Sequence, residues 1–481
     1  MRPARRHRGA RSRVEGLKGG HPDRPGPRHR DPGRGPGRPV TAPAAGPSVG
    51  RLWALAVPLL VAGLTQIIVN LVDTVLLGRL STEALGAFAL AAPVYLVALV
   101  VVRGWATAVQ VLVAREHGAG RPGSVARVVR VGLLTSIVVG AGIGAALYAV
   151  AGPTLTLLGA APELIGPGTG YLRILAPAVP LAAASFVLQS ACAGIGVTRA
   201  SMYHALLVNV VNLPLGVLLI FGAGLGVTGA ALATLAATAA GTAFLLTYAR
   251  SRLPRSGPEP AEDVTRRLWA IGWPEMSTMG LGYLNEALIA GFAARMSTAD
   301  LAAYRIVDNL LLVVFTALSA AAAPITIMAG QALGAGDKAA ATLWRRKGVV
   351  LLFVVFAAPA ALALLAGPWL LALVTTNPVV ADLAWAAVPL AVLSMAPMVP
   401  AMAYGSFLRA MGDTRSVMLA NAAGDYLMLL PLAWLLGVRA GLGLPGVYVA
   451  WIAFGLTLSL ILALRVRAHL RRGTVSTLPA A

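Results

Sequence analysis

Apolar residues fill this chain in long blocks separated by short polar breaks, beginning at Leu52 and ending near Leu464. The blocks run over 52–78, 84–114, 126–150, 169–192, 200–221 and 227–249, then over 268–294, 300–330, 346–366, 380–407, 416–437 and 444–464. Each is about twenty residues or longer, enough for one helical crossing of a ~30 Å hydrocarbon layer. The pattern predicts an all-α integral membrane protein with twelve transmembrane helices. The polar break from Arg250 to Arg267 carries Pro254, Pro258 and Pro260 and reads as a linker between two sets of six.

The two sets are copies. Leu52-Trp53-Ala54-Leu55 with Pro58 returns 216 residues later as Leu268-Trp269-Ala270-Ile271 with Pro274. At the same spacing Arg79-Leu80-Ser81-Thr82 returns as Arg295-Met296-Ser297-Thr298, and His117-Gly118-Ala119-Gly120 as Leu333-Gly334-Ala335-Gly336. Gly196-Val197-Thr198-Arg199 likewise returns as Gly412-Asp413-Thr414-Arg415. Six crossings separate the copies, so they share one orientation and form two six-helix lobes related by a pseudo-two-fold along the membrane normal. The implied organisation is a basic, disordered cytoplasmic tail (1–51), a first lobe (52–249), a linker (250–267), a second lobe (268–465) and a short tail (466–481).

Composition agrees: 58% hydrophobic residues, 12% charged and a mean hydropathy of +0.77 exclude an ordinary soluble domain. The net charge of +21 raises nucleic acid as a partner. Its placement argues otherwise, because thirteen of the 39 Lys and Arg lie in residues 1–51 and most others in alternate short loops. Arg115, Arg121, Arg127 and Arg130 follow the second block, Arg199 the fourth and Lys338, Arg345, Arg346 and Lys347 the eighth. Loops holding such charge lie in the cytoplasm, which places both termini there, in a multi-pass plasma (inner) membrane protein. One cysteine, Cys192, excludes an internal disulfide, and no zinc-type Cys/His cluster occurs.

Four carboxylates lie well inside blocks: Asp73, Glu286, Asp308 and Asp425. Charge there costs roughly 2.5–3.5 kcal/mol on insertion scales, so these groups are expected to face a cavity. At 1.5 Å per residue, Asp73, Glu286 and Asp308 sit roughly 9, 14 and 10 Å below the outer face, and Asp425 roughly 15 Å above the inner one. The duplication did not copy them: Ile289 stands at the place of Asp73, Glu286 at that of Asn70, and Asp425 at that of Asn209. Carboxylates in a cavity can exchange protons, or with Asn oxygens hold Na⁺, at Asp73 or Glu286. The structural alternatives are a bond from Arg79 to Asp73, pairing of Glu286 or Asp308 with Arg305, and a helix–helix bond for Asp425. Arg103, deep in the second block, has no assigned role. No P-loop, HExxH or GxSxG pattern is present, so neither ATP nor enzymatic chemistry is implied.

Val72-Asp73-Thr74-Val75-Leu76-Leu77-Gly78-Arg79-Leu80, followed by Ala84-Leu85-Gly86-Ala87, resembles the multidrug and toxic compound extrusion (MATE) family. Gly118-Ala119-Gly120, Gly226-Val227-Thr228-Gly229-Ala230-Ala231-Leu232-Ala233 and Gly334-Ala335-Gly336-Asp337 agree with it. The resemblance covers residues 52 to about 465. It implies a two-lobe antiporter that exports cationic or amphipathic organic compounds against H⁺ or Na⁺, without any other cofactor. Asp73 matches the family's first-span carboxylate and Asn212 an Asn of the fifth span. Gly216 stands where some members carry an Asp. Glu286 resembles the seventh-span Glu, about one turn displaced, and Asp413 an acidic position of some Na⁺-coupled members.

The resulting expectation is a monomeric secondary active multidrug exporter, not an enzyme, working within the lipid bilayer and binding no nucleic acid. Ion coupling is assigned to Asp73, Glu286 and Asp308, with Asn70, Asn209, Asn212, Asp413 and Asp425 as candidate cavity residues. The rivals are a flippase for lipid-linked substrates, which acidic interiors disfavour, and an intramembrane enzyme, which lacks a catalytic pair.

Overall fold

The computed structural model describes residues 46–254 and 263–472; most of the expected basic tail, residues 255–262 of the linker and residues 473–481 lie outside it. Within the described residues twelve helical rods follow one another. The first six are α1 (Val49–Leu80), α2 (Thr82–Gly118), α3 (Pro122–Leu157), α4 (Pro162–Leu175 continued by Ala178–Gly194), α5 (Arg199–Gly222) and α6 (Gly226–Arg252). The second six are α7 (Val264–Met296), α8 (Thr298–Gly334), α9 (Lys338–Val374), α10 (Pro378–Met395 continued by Met398–Ala410), α11 (Thr414–Arg439) and α12 (Gly443–Arg472). Every expected apolar block forms a helical rod. Ten rods are individually long and apolar enough to span a bilayer, and α4 makes an eleventh when its two segments, bent by 45°, are counted together. The remaining rod, α7, has 33 residues but is more polar, because Glu275, Asn285 and Glu286 lie along it. The breaks in α4 and α10 fall at Pro177 and Pro397, where a ring without an N–H interrupts the helical ladder.

The repeated motifs turn out to be turns. Ser81 is extended, donates its N–H to the Leu77 carbonyl at 3.3 Å and accepts from Ala84 N at 3.0 Å, so one residue ends α1 and caps α2. Its copy Ser297 caps α8 in the same way through Asp300 N at 2.9 Å. Gly120 and Gly336, with φ of +69° and +81°, take the left-handed conformation that ends α2 and α8 without the penalty a Cβ would bring.

A first-lobe core gathers Leu77, Tyr95, Tyr171 and Ile220, and a second-lobe core gathers Tyr304, Phe407 and Tyr448. A third core crosses between lobes, joining Trp105 and Val109 of α2 to Val264, Leu268 and Ile271 of α7. At that end, which carries the basic loops, α2 presses on α7 and α8. The Trp105 and Trp269 rings meet edge-on at 5.0 Å. Gly118 lies against the Gln331 carbonyl and Gly334 against the Arg115 carbonyl, with no room for a Cβ on either. Positions 115 and 331 are themselves repeat partners, so this crossing sits on the internal two-fold. Glu116 pairs with Arg267 across the lobes at 2.9 Å, and Gln331 donates to the Gly194 carbonyl at 2.8 Å.

Further along, Gly104 still touches the Met276 backbone and Gly63 the Thr316 side chain. Beyond those contacts polar side chains at membrane depth stay exposed: Gln66 and Thr74 on α1, and Asn309 on α8. A Cβ placed on Gly280 or Gly282 would meet open space. Polar groups inside a span avoid hydrocarbon, so these three are candidates to line a crevice on the side away from the basic loops.

Candidate functional site

In the first lobe Asp73 is 9% exposed on the face of α1 that also presents Leu77, one turn on, to the core. Among the described residues it makes no ion pair with Arg79. Tyr171 of α4 stands within electrostatic reach of Asp73 and of Tyr95. On α5, packed against α1, Asn212 is buried and its amide donates to the Thr234 hydroxyl of α6 at 3.2 Å. One turn further, Gly216 faces Leu76 of α1 and Ala233 of α6, each 3.9 Å from the place of a Cβ. Two polar pairs thus lie in this lobe, Asp73 with Tyr171 and Asn212 with Thr234, on four of its helices. Asn209 does not join them through its amide, which bonds back to the Ala205 carbonyl at 2.6 Å. The side chain of Asn70 lies outside the described residues.

The second lobe holds a different cluster. Tyr304 of α8 donates to Glu286 Oε1 of α7 at 2.7 Å, and Arg305 approaches the same oxygen at 3.9 Å. That ion pair is long and half exposed, so it neutralises little. Asp308, one turn from Tyr304, feels both Glu286 and Arg305. The buried Tyr448 hydroxyl of α12 is within electrostatic reach of Asp308 and Glu286 and has no hydrogen-bond partner among the described residues. Beside Glu286, Asn285 donates to Asp425 Oδ1 at 3.2 Å, the helix–helix bond foreseen for Asp425, while its own buried carbonyl oxygen accepts nothing. A buried oxygen without a donor is the arrangement a small cation or water would complete. No group of three His, Cys, Asp or Glu suited to a metal ion occurs among the described residues. The donors on offer are carboxylate, phenol and amide oxygens, suited to H⁺ or a hard monovalent cation.

Asp413 lies elsewhere in the fold. It caps α11 through Ser416 N and pairs with Arg465 and His469, each at 2.7 Å, at the basic-loop end and apart from both clusters. Burial raises the Asp413 carboxyl, but the bonds from Arg465, His469 and Ser416 together hold it below its ordinary range. These bonds tie the start of α11 to α12. Arg103 lies over the Phe186 ring at 5.8 Å and within electrostatic reach of Tyr283 on α7.

Two buried carboxylates had not been singled out. Glu275 accepts from Arg409 Nε at 2.9 and 3.0 Å, and Glu116 pairs with Arg267 and Arg121. Glu275 was detectable, since it lies within a predicted span; its partner, 134 residues away, was not.

The MatE family profile matches this chain twice, over residues 58–218 and 274–435. The chain belongs to the MATE family. The two matches begin at the spacing of the internal repeat, so each lobe carries one family unit. A probable multidrug resistance protein NorM of Caulobacter vibrioides is 30% identical over 439 residues, covering 86% of this chain and 90% of its own length. A probable multidrug resistance protein NorM of Bradyrhizobium diazoefficiens is 29% identical over 448 residues, covering 87% and 93%. The solved structure of the Vibrio cholerae MATE transporter VcmN superposes with a TM-score of 0.83 at 21% identity, covering 89% of this chain and 98% of that one. This last likeness concerns the fold alone.

Proposed function

We propose that this MATE protein is a secondary active multidrug exporter of the plasma (inner) membrane, driven by an inward gradient of H⁺ or Na⁺. The observation that carries the reading is the unneutralised acidity of the interior. Asp73 in one lobe and Glu286 with Asp308 in the other face a single long ion pair among the described residues, to Arg305. Such a cavity attracts organic cations and lets a small cation compete for the same charge, so binding of one opposes binding of the other. The names of the NorM relatives support drugs as cargo.

With the basic loops in the cytoplasm, the crevice opens outward and the Gly118–Gln331 crossing shuts the inner side. H⁺ or Na⁺ entering from outside would occupy Asp73 or the Glu286–Asp308 cluster and release cargo, after which the lobes rock about the two-fold. In vesicles of this protein, Asp73→Asn should cut gradient-driven export of a fluorescent organic cation at least tenfold. Undiminished export would sink the proposal. Imposing ΔpH and a Na⁺ gradient separately identifies the coupling ion.

A further inference from the structure

The repeat places the same turn, Gly-x-Thr-Arg, at the start of α5 and of α11, yet the two copies handle charge in opposite ways. In the second copy the variable residue is Asp413, and its carboxylate is held by Arg465 and His469 of α12. In the first copy that residue is Val197. Around it lies a cavity of about 330 Å³ between the start of α1, the α4–α5 turn and the end of α6. This is the lower end of the range for small-ligand sites. Arg199 and Arg252 both line it, and neither is paired with a carboxylate among the described residues. Tyr203 and Tyr248 line it too, with rings 6.2 Å apart, and Arg252 lies over Tyr248 at 5.6 Å. Leu55 supplies an apolar wall.

Two guanidiniums without a carboxylate partner among the described residues, a tyrosine pair and an apolar wall match the three layers of a phospholipid: phosphate, glycerol ester and acyl chain. Trp53, next to Ala54, and Leu206, one turn from Tyr203, are exposed apolar residues on the same helices, 41% and 42% accessible, and provide apolar surface for an acyl chain. We infer that this cavity binds the phosphate head group of an anionic phospholipid from the leaflet at the basic-loop end, through Arg199 and Arg252. The inference does not depend on the transport proposal, since it lies at the opposite end from the crevice. The duplicated turn acts as an internal control, because in the second copy the protein supplies its own carboxylate.

The test uses the full-length protein in mixed micelles, with phosphatidylglycerol or phosphatidylcholine titrated while the unfolding temperature is followed. Phosphatidylglycerol should stabilise and phosphatidylcholine should not. Arg199→Gln and Arg252→Gln should each weaken the apparent lipid affinity on the order of fivefold, as expected for one basic side chain near a lipid surface. Val197→Asp, which copies the second turn, should abolish the preference, whereas Arg415→Gln, at the equivalent place in the second copy, should keep it. An equal response to phosphatidylcholine, an unchanged response in Arg199→Gln and Arg252→Gln, or loss in Arg415→Gln would overturn the inference. Inorganic phosphate alone stabilising to the same extent would overturn the lipid assignment. Monodispersity by size exclusion separates lost binding from misfolding, and Arg199→Lys should restore most of the affinity.

Discussion

Glu275 is 1% exposed and holds Arg409 with both of its oxygens, so the two charges share one desolvated site. Removing one partner strands the other, a loss that costs about 3 kcal/mol in buried pairs. Glu275→Gln should therefore lower the unfolding temperature by several degrees in detergent, and Glu275→Gln with Arg409→Met should recover much of it. A neutral single variant would show the pair to be solvated. Asp413 makes a second residue-level test. Its folded carboxyl lies below the ordinary 3.8, so its contribution is complete above that value and is lost as pH falls through the lower folded value. The stability gap between wild type and Asp413→Asn should shrink as the pH falls below ~4. A gap that opens with acid contradicts the assignment.

Among the elements, α2 carries the most consequence, because it packs on its own lobe and on both α7 and α8 of the other. Its contact with α8 depends on two glycines. A Cβ at Gly118 or Gly334 would land on the backbone of the facing helix, which cannot rotate away as a side chain can. Gly118→Ala should push the helices apart and cost about 1–3 kcal/mol, as overpacking does. By the internal two-fold, Gly334→Ala should do the same to a similar degree. Differential scanning fluorimetry of the two variants checks both statements, and a wide disparity between them would deny the symmetry.

For the whole molecule, the lobes meet at the basic-loop end through α2, α7 and α8, and the proposed transport cycle requires that closure to open. Glu116 and Arg267 span that closed end, with side-chain exposures of 1% and 15%. Reopening it requires their separation, so Arg267→Gln should shift the population toward the state open at the basic loops. A loss of ~1.4 kcal/mol corresponds to a tenfold shift. Distances between spin labels placed at His117 and Arg266, in a Cys192→Ala background, would report it. An unchanged distance distribution would exclude the pair as a latch.

The twelve crossings, their order and the duplication were legible because hydrocarbon thickness and hydropathy are local properties, readable twenty residues at a time. Asp73, Glu286 and Asp308 were legible for the same reason, since a carboxylate in an apolar block stands out wherever it points. Direction was not. That Asn209 bonds its own helix while Asn212 reaches Thr234, or that Asp413 meets Arg465 and His469, depends on helix rotation and on partners up to 56 residues apart. Tyr304, Tyr448 and Asn285 joined the acidic cluster only once α7, α8, α11 and α12 were packed together. The repeated glycines were visible as letters, but their work in the α2–α8 crossing depends on two distant helices meeting at backbone distance. The sequence by itself determined what must cross the membrane and which charges needed a reason to be there. The tertiary structure decided which of those charges meet, and at which end the lobes are shut, because both depend on contacts between segments far apart in the chain.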